Sequence, residues 1–203
     1  MSILIQYSVP LLVTCIAVVI YWADPSVSLM LRYDRSAIEQ GEIWRLISGH
    51  LCHLGRTHLL FNLAGLWLLS FLLTEALGVW RWLLAFSFSV VGTSLGLWFF
   101  LPEVDTYVGL SGALHGVIMA GAIWDMRNVF MSNVLLLAGV TVKLIWEHSP
   151  YYSHDMSTLV GGKVLVDSHL SGAISGVLIV LLVYFSVCLK RKEKKSEEKR
   201  REE

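Results

Sequence analysis

A serine flanked by glycines stands at the start of an apolar run, in the stretch Gly109-Leu110-Ser111-Gly112-Ala113-Leu114-His115-Gly116. Gly109 and Gly112 keep side-chain bulk away from both sides of the Ser111 hydroxyl. If a helix begins here, Ser111 and His115 share one face because they are four residues apart. The spacing predicts a reactive hydroxyl at a helix N-terminus. Small residues in a membrane helix also serve close packing, so this stretch alone does not decide the function.

Two other apolar runs also begin with polar residues. One opens with His58 and Asn62, which are four residues apart and therefore share one helical face. The last run opens with His169, followed by Gly172 and Gly176 on a smooth face that lets another helix approach closely. Strongly polar side chains are costly inside a membrane, so each is a candidate functional residue. The alternative is that each only bridges two helices.

Acyl transfer is the chemistry that these residue types could perform together. A serine nucleophile needs a base within hydrogen-bonding distance, and His169 supplies one if the last run packs against the run that contains Ser111. The contact surfaces would be Gly172 and Gly176 on one side and Gly112, Gly116 and Ala120 on the other. The oxyanion of a tetrahedral intermediate needs preorganised donors, and His58, Asn62 and the backbone N–H of Ser111 are suitable.

The composition is that of an integral membrane protein. Of 203 residues, 55% are hydrophobic and only 16% are charged, and the mean hydropathy is +0.62. Apolar runs of spanning or nearly spanning length fall at about 3–23, 57–75, 80–101, 109–126, 130–146 and 168–189. They predict an all-α membrane domain of six transmembrane helices over residues 1–189. The fourth and fifth runs are short, so we expect both to lie deep within the bundle.

The charge distribution predicts the orientation of these helices. The tail 190–203 carries eight of the sixteen Lys and Arg residues and should be cytoplasmic and disordered. Six spans then place the N-terminus in the cytoplasm too, and Ser111 at the outward end of the fourth span. Two long segments face outward: a large first loop, 24–56, and a second segment, 147–166. The paired glycines Gly161 and Gly162 indicate that the second is a mobile cap.

A metal site is an alternative that the first loop raises. His50, Cys52, His53 and His58 are clustered, and they are ligand types that zinc prefers. Their spacing fits no strong zinc template, and the His-Glu-x-x-His motif is absent. We therefore expect His50 and His53 to form hydrogen bonds within the loop. An aspartyl intramembrane protease is also disfavoured, because the Gly-x-Gly-Asp motif is missing.

The chain resembles the rhomboid intramembrane serine proteases. The matching pieces, in the family's order and spans over residues of about 40–180, are Trp44-Arg45, His58-x-x-x-Asn62, Gly109-x-Ser111-Gly112 and His169-x-x-Gly172-x-x-x-Gly176. The resemblance implies a six-helix rhomboid-like bundle with a large first outer loop. It also implies Ser111 as the nucleophile, His169 as general base and acid, and His58 with Asn62 at the oxyanion hole.

One departure points to a branch of this family. Many rhomboids carry a tyrosine four residues after the serine, where this chain has His115. Together with the Lys143-x-x-Trp146-Glu147 stretch and the compact size, His115 makes the chain look like the rhombosortase branch. That resemblance implies exported substrates whose C-terminus has a Gly-Gly motif, one membrane helix and a basic cluster. We expect the His115 ring to lie beside His169, where it either packs against that ring or donates a hydrogen bond that fixes its tautomer. Glu147 is expected either to orient one of these rings or to face water.

Other functions are less consistent with these residues. A rhomboid-like protein that binds membrane clients without cutting them would have lost the serine or the histidine, and both are present. A transporter is disfavoured because the polar residues lie at one depth. We predict a bacterial inner-membrane enzyme with both termini in the cytoplasm, whose partners are the lipid bilayer and anchored exported proteins. No cofactor, metal or nucleic acid is expected, and transfer of the acyl group to an amine stays open beside hydrolysis.

Overall fold

The computed structural model describes residues 3–23, 25–153 and 156–202, which form a mainly helical structure. Its elements, in chain order, are α1 (Ile3–Gln6), α2 (Ser8–Trp22), α3 (Pro25–Leu31), β1 (Tyr33–Asp34), α4 (Arg35–Glu39), α5 (Arg45–Ser48), a 3₁₀ turn (Gly49–Leu51), α6 (Arg56–Phe100), β2 (Thr106–Tyr107), α7 (Ser111–Trp124), α8 (Phe130–Glu147), α9 (Met156–Val160) and α10 (Asp167–Glu202).

Within these residues, four helical stretches are long and apolar enough to cross a membrane. They are Arg56–Leu73, Glu75–Phe100, Phe130–Glu147 and Asp167–Glu198. Two shorter apolar helices, α2 and α7, take the positions of the first and fourth predicted spans. The chain is therefore a multi-pass membrane protein, whereas the count of six spans stays a prediction.

α6 consists of two helical segments joined at Gly78. The φ of 65° and ψ of 171° at this residue lie outside the helical region, and residues with a Cβ rarely adopt a positive φ. His58, near the start of α6, lies beside Gly109, and Thr93, near its end, lies beside Gly112. Gly109 and Gly112 lie just before and just after the first residue of α7, so both ends of α6 lie near the same end of α7. The two segments of α6 therefore run in opposite directions.

α7 lies at the centre of the bundle, between α6 and α10. A helix of fourteen residues, half of which are glycine, alanine or serine, can be enclosed by its neighbours, and this burial agrees with the prediction for the fourth run. Its buried residues are Gly112, Ala113, Leu114, Gly116, Val117, Ala120, Gly121 and Ala122.

α8 corrects the prediction that the fifth run also lies deep in the bundle. Its buried residues are Asn133, Val140 and Glu147, and large apolar side chains elsewhere along it are exposed. The helix has eighteen residues, which is close to spanning length, so its apolar face can be covered by lipid rather than by protein. At its beginning, the Asn133 amide donates a 3.2 Å hydrogen bond to the buried carboxylate of Asp125, just after α7.

Glycines bring α7 and α10 into backbone contact. A Cβ atom added to Gly172 would overlap the carbonyl oxygen of Gly112, and one added to Gly176 would overlap that of Gly116. In the other direction, a Cβ on Gly116 would lie 2.6 Å from the carbonyl oxygen of Gly172. The two helices thus meet through the surfaces that the sequence analysis paired, at a distance that only glycine permits.

The segment between α2 and α6 is built from short elements. β1 pairs with β2 in an antiparallel register that places Tyr33 opposite Tyr107. The Arg35 guanidinium donates hydrogen bonds to four carbonyl oxygens at and beyond the end of α6, those of Leu97, Trp98, Leu101 and Val104. The last carbonyls of a helix lack the full set of partners that the helix interior provides, so Arg35 both caps α6 and fastens the segment to it. That the segment between α2 and α6 is a large loop facing outward stays a prediction.

The charged tail differs from the predicted disordered segment. In the structure, residues 190–202 continue α10 as a helix. Lys, Glu and Arg are strong helix formers, and Lys194 and Glu198 lie four residues apart with their charged groups 4.0 Å from each other. The helix that leaves the apolar region therefore continues into the charged one.

Candidate active site

Ser111 and His169 lie within hydrogen-bonding distance. The Oγ atom of Ser111 is 2.9 Å from Nε2 of His169, although the two residues are 58 positions apart in the chain. Ser111 is the first residue of α7, and His169 lies in the first turn of α10, so the glycine contact between these helices sets the distance. The same glycines predicted this neighbourhood from the sequence.

Glu147 holds the other nitrogen of the His169 ring. Its carboxylate oxygens lie 2.9 and 3.1 Å from Nδ1 of His169, and both side chains are buried. The ammonium group of Lys143, one turn earlier on α8, contacts the same carboxylate and lies 3.4 Å from Nδ1. Of the two alternatives left open for Glu147, the structure shows contact with a ring, and the ring is that of His169.

His115 stacks on His169. The two ring centroids are 4.3 Å apart and the ring planes are inclined by 17°. Nδ1 of His115 lies 2.7 Å from the backbone carbonyl oxygen of Ser111, which accepts a hydrogen bond, so Nδ1 carries the proton and donates it. Of the two predicted modes of contact, the structure shows ring packing against His169.

His58 and Asn62 lie next to Gly109. The backbone N–H of Leu54 donates to Nδ1 of His58 at 3.2 Å, so a neutral His58 ring carries its proton on Nε2, where it is free to donate. The Asn62 amide donates one hydrogen to the carbonyl oxygen of His58 at 3.1 Å and has a second hydrogen left. A Cβ on Gly109 would lie 2.9 Å from Nε2 of His58 and 3.6 Å from Nδ2 of Asn62. The missing side chain of Gly109 thus leaves space in front of two donors.

Tyr107 supports this arrangement, although no pattern in the sequence indicated it. Its hydroxyl donates a 2.6 Å hydrogen bond to the carbonyl oxygen of Gly109, the residue whose φ of +119° favours glycine. Burial raises the pKa of the Tyr107 hydroxyl to about 12, so it stays a donor at neutral pH. A tyrosine two residues before Gly109 has no characteristic spacing in the sequence. Its role is visible in the structure, where it is buried and pairs with Tyr33 across the sheet.

A cleft of about 550 Å³ opens beside Ser111. His58, Tyr107 and Ser168 also line it, together with Lys163 and Leu165 from the segment that precedes α10. The segment 147–166 therefore borders the cleft, and part of the predicted cap, residues 154 and 155, lies outside the described residues. Its role as a mobile gate stays a prediction.

The histidines before α6 pack into the structure. Nε2 of His50 lies 2.9 Å from Oγ of Ser94 on α6, which corrects the prediction that His50 bonds within its own loop. The Ser94 hydroxyl also donates to the carbonyl oxygen of Leu46 on α5, so the second segment of α6 lies against the elements on both sides of Ser48. Nδ1 of His53 donates to the carbonyl oxygen of Leu51 at 3.2 Å, inside the loop as expected. Burial lowers the pKa of His50 to about 4, and burial together with His58 lowers that of His53 to about 3, so both rings are neutral.

The residues whose geometry could hold a metal ion differ from those that the sequence suggested. In the part of the chain that the structure describes, the potential metal ligands that come together are His115, Glu147 and His169, with ligand atoms within 4.8 Å of one another. The cluster of His50, Cys52, His53 and His58 forms no such group there. The Lys143 ammonium contacts Glu147 and lies near Nδ1 of His169, so a positive charge already stands beside these ligand atoms.

This arrangement has the parts that acyl transfer requires. A hydroxyl faces the nitrogen of a buried imidazole, and the second ring nitrogen faces a carboxylate. The backbone N–H of Ser111, at the beginning of α7, and the free donors of His58 and Asn62 surround the space in front of Gly109. The cleft gives a peptide access to the hydroxyl.

Comparison with known proteins agrees with this geometry. The rhomboid domain matches residues 40–186, which is well over half of the chain and contains Ser111, His169 and Glu147. The chain belongs to the rhomboid family. Among similar proteins of this family, the putative rhomboid protease YdcA of Bacillus subtilis is 28% identical over 182 residues, covering 87% of this chain and 80% of that protein.

Two other rhomboid relatives are similar to this chain at comparable levels of sequence identity. The rhomboid protease GlpG of Haemophilus influenzae is 25% identical over 190 residues, covering 85% of this chain and 89% of that protein. The rhomboid-like protein 11 of Arabidopsis thaliana, a chloroplastic protein, is 30% identical over 148 residues, covering 69% of this chain. The match spans about half, 52%, of the plant protein's length. The chain is thus an intramembrane serine protease of the rhomboid family.

Proposed function

We propose that this rhomboid protease removes the C-terminal membrane anchor of exported proteins near a Gly-Gly motif, using Ser111 as nucleophile and His169 as general base and acid. The observation that carries the catalytic part is the 2.9 Å distance between Ser111 Oγ and His169 Nε2. The substrate class is supported by the likeness to the rhombosortase branch, above all by His115 in the position where many rhomboids have a tyrosine.

The mechanism begins with attack on the carbonyl carbon of the scissile peptide. The Ser111 Oγ–C bond forms as the hydroxyl proton moves to Nε2 of His169, and the carbonyl oxygen becomes an oxyanion. That oxyanion sits among the Ser111 backbone N–H, Nε2–H of His58 and the second amide hydrogen of Asn62. His169 then gives its proton to the leaving amine as the C–N bond breaks. Water from the cleft hydrolyses the acyl-enzyme in the same way.

A Gly-Gly motif suits this site for a physical reason. The substrate helix must unwind before its carbonyl reaches Ser111, and glycine lowers the cost of leaving the helix by about 1 kcal/mol per residue relative to alanine. Two glycines also present their carbonyl without neighbouring side chains to a cleft that His58 and Tyr107 line. The proposed orientation has the cleft on the outer face of the bacterial inner membrane, with the basic end of α10 in the cytoplasm.

The test uses a reporter protein with a C-terminal Gly-Gly, membrane helix and basic tail, reconstituted in liposomes with the enzyme. We expect release of the soluble domain with its new C-terminus at or beside the Gly-Gly motif, read by mass spectrometry. A matched reporter with Val-Val in place of Gly-Gly should be released at least about 10-fold more slowly, since two glycine-to-valine changes raise the cost of unwinding and block close approach. The Ser111→Ala enzyme should release neither.

Three results would contradict the proposal. Equal release of the Gly-Gly and Val-Val reporters would contradict the substrate class, and release by Ser111→Ala would contradict the nucleophile. Binding of the reporter without cleavage by the wild-type enzyme would favour the client-binding alternative. The mass of the new C-terminus also separates the two fates of the acyl group, because an amine acceptor adds its own mass and water leaves a free carboxylate.

A further inference from the structure

We propose that Glu147 is the positioning carboxylate of a Ser111–His169–Glu147 triad and that Lys143 holds Glu147 in place. This inference rests on the proposed roles of Ser111 and His169, and it adds the groups that make His169 a base. The family resemblance implies roles for Ser111, His169 and the two oxyanion residues but none for Lys143, and the contacts of the two α8 side chains come from the structure of this chain.

The contacts of the His169 ring determine where its proton lies. Nδ1 faces both carboxylate oxygens of Glu147, at 2.9 and 3.1 Å, and two acceptors attract this nitrogen only if it carries a proton. The Lys143 ammonium is also near Nδ1, at 3.4 Å, but it cannot donate to a protonated nitrogen and donates to Glu147 instead. Neutral His169 therefore has its lone pair on Nε2, facing the Ser111 hydroxyl.

The same contacts stabilise the charge that forms during the reaction. When Nε2 takes the proton from Ser111, the ring becomes an imidazolium whose Nδ1–H still points at Glu147. Glu147 stays ionised throughout, and the proton later leaves through Nε2 to the amine, so no proton is transferred to the carboxylate. Glu147 thus acts on the reaction through His169 and does not touch the substrate.

The contact with Glu147 explains why a lysine stands at position 143 of α8. The pair has lysine four residues before glutamate, which is the less favourable order for an isolated helix, so helix stability alone does not explain it. The Glu147 side chain is buried, with 7% of its surface exposed, whereas that of Lys143 is 45% exposed. A buried carboxylate needs a charged or hydrogen-bonding partner, and Lys143 reaches from the rim to supply one.

The buried face of α8 carries Glu147 and so positions its carboxylate at the His169 ring. Its buried residues, Asn133, Val140 and Glu147, are spaced by seven and lie on one stripe of the helix. One end of the stripe is tied to Asp125 through Asn133, and the other to His169 through Glu147. A helix with so little apolar burial is positioned largely by these polar contacts, which places the carboxylate at the ring.

The experiment measures how fast a fluorophosphonate labels Ser111 in purified full-length enzyme. This reaction needs the serine and its base but no Gly-Gly substrate. We expect Glu147→Gln to slow labelling roughly 10²-fold or more, because the amide no longer selects the Nδ1–H form of His169. Glu147→Asp should recover part of the rate, and Lys143→Met should lose less than Glu147→Gln. The matched control is Glu75→Gln, an exposed glutamate on α6, with the wild-type rate expected.

Nitrogen-15 NMR of labelled histidines gives a readout that a merely structural role would not change. In the wild type, the His169 signals, assigned by their loss in His169→Ala, should show a protonated Nδ1 and an unprotonated Nε2, and Glu147→Gln should populate both forms. The double variant Lys143→Met with Glu147→Gln removes both charges and leaves no unpaired charge to disturb folding. It should label as slowly as Glu147→Gln.

The outcomes separate this inference from the proposed function. If the wild-type enzyme labels at Ser111 and Glu147→Gln labels equally fast, Glu147 does not position His169. Recovery of the wild-type rate in the double variant would also overturn the inference, since it would show that only charge balance matters. If the wild-type enzyme is not labelled at all, the Ser111–His169 pair itself fails.

Discussion

At the scale of single residues, Gly109 is the position where one added carbon atom should matter most. A Cβ there would meet the His58 ring at 2.7 Å, and the φ of +119° is strained for any other residue. We predict that Gly109→Ala lowers the rate of reporter cleavage by about 10²- to 10³-fold, the loss typical of removing an oxyanion donor. Gly139→Ala, with open space around its Cβ, is the matched control. Equal rates for the two variants would show that Gly109 does not keep the oxyanion site open.

His115 carries a second prediction at this scale. Because its ring stacks on that of His169, an aromatic replacement should keep much of the support and a small one should lose it. We expect His115→Tyr to cleave the reporter within about 3-fold of the wild-type rate and His115→Ala to be roughly 10-fold slower, since a stacked pair contributes about 0.5–1.5 kcal/mol. If both variants cleave at the wild-type rate, His115 has no part in the chemistry.

At the scale of elements, the contact between α7 and α10 determines whether the two reactive groups meet. Gly172 has a neighbouring backbone where its Cβ would be, so Gly172→Ala must push the helices apart near His169. We predict a loss of about 1–3 kcal/mol in the free energy of unfolding, measured by denaturant titration in micelles, and a larger fractional loss of cleavage. Gly139→Ala on α8 again serves as control. Unchanged stability and cleavage in Gly172→Ala would mean that the helices do not need this close approach.

The elements also show how far the sequence carries the argument. The apolar runs and the glycines at 112, 116, 172 and 176 predicted which helices meet and which side chains face each other. The i, i+4 spacing of Lys143 and Glu147 indicated an ion pair. The contact of Glu147 with His169 depends on the orientation of α8 in the bundle, which the spacing does not determine. The exposure of α8 was not predictable, since apolar side chains look alike whether protein or lipid covers them. The helical tail shows the same limit for charged residues, which suit both a solvated helix and disorder.

At the scale of the whole molecule, the buried His50 makes stability depend on pH. The pKa of His50 is about 4 in the folded protein, against an ordinary value of 6.5, because burial disfavours the charged ring. The unfolded chain therefore binds a proton at a higher pH than the folded one. Above pH 6.5 the His50 ring is neutral in both states and does not reduce the free energy of unfolding. As the pH falls towards 4, the unfolded chain takes up the proton first, which favours unfolding. We predict that the free energy of unfolding falls over this range, and that His50→Gln shows a smaller slope. Identical slopes would contradict this prediction.

The central claim is that Ser111 and His169 form the reactive pair of this rhomboid protease, and covalent labelling followed by peptide mass spectrometry tests it most directly. After reaction with a fluorophosphonate, we predict the added mass on the peptide that contains Ser111. The adduct should be absent in Ser111→Ala and should form at least about 10²-fold more slowly in His169→Ala. An adduct on another residue, or equal labelling of Ser111 with and without His169, would contradict the account.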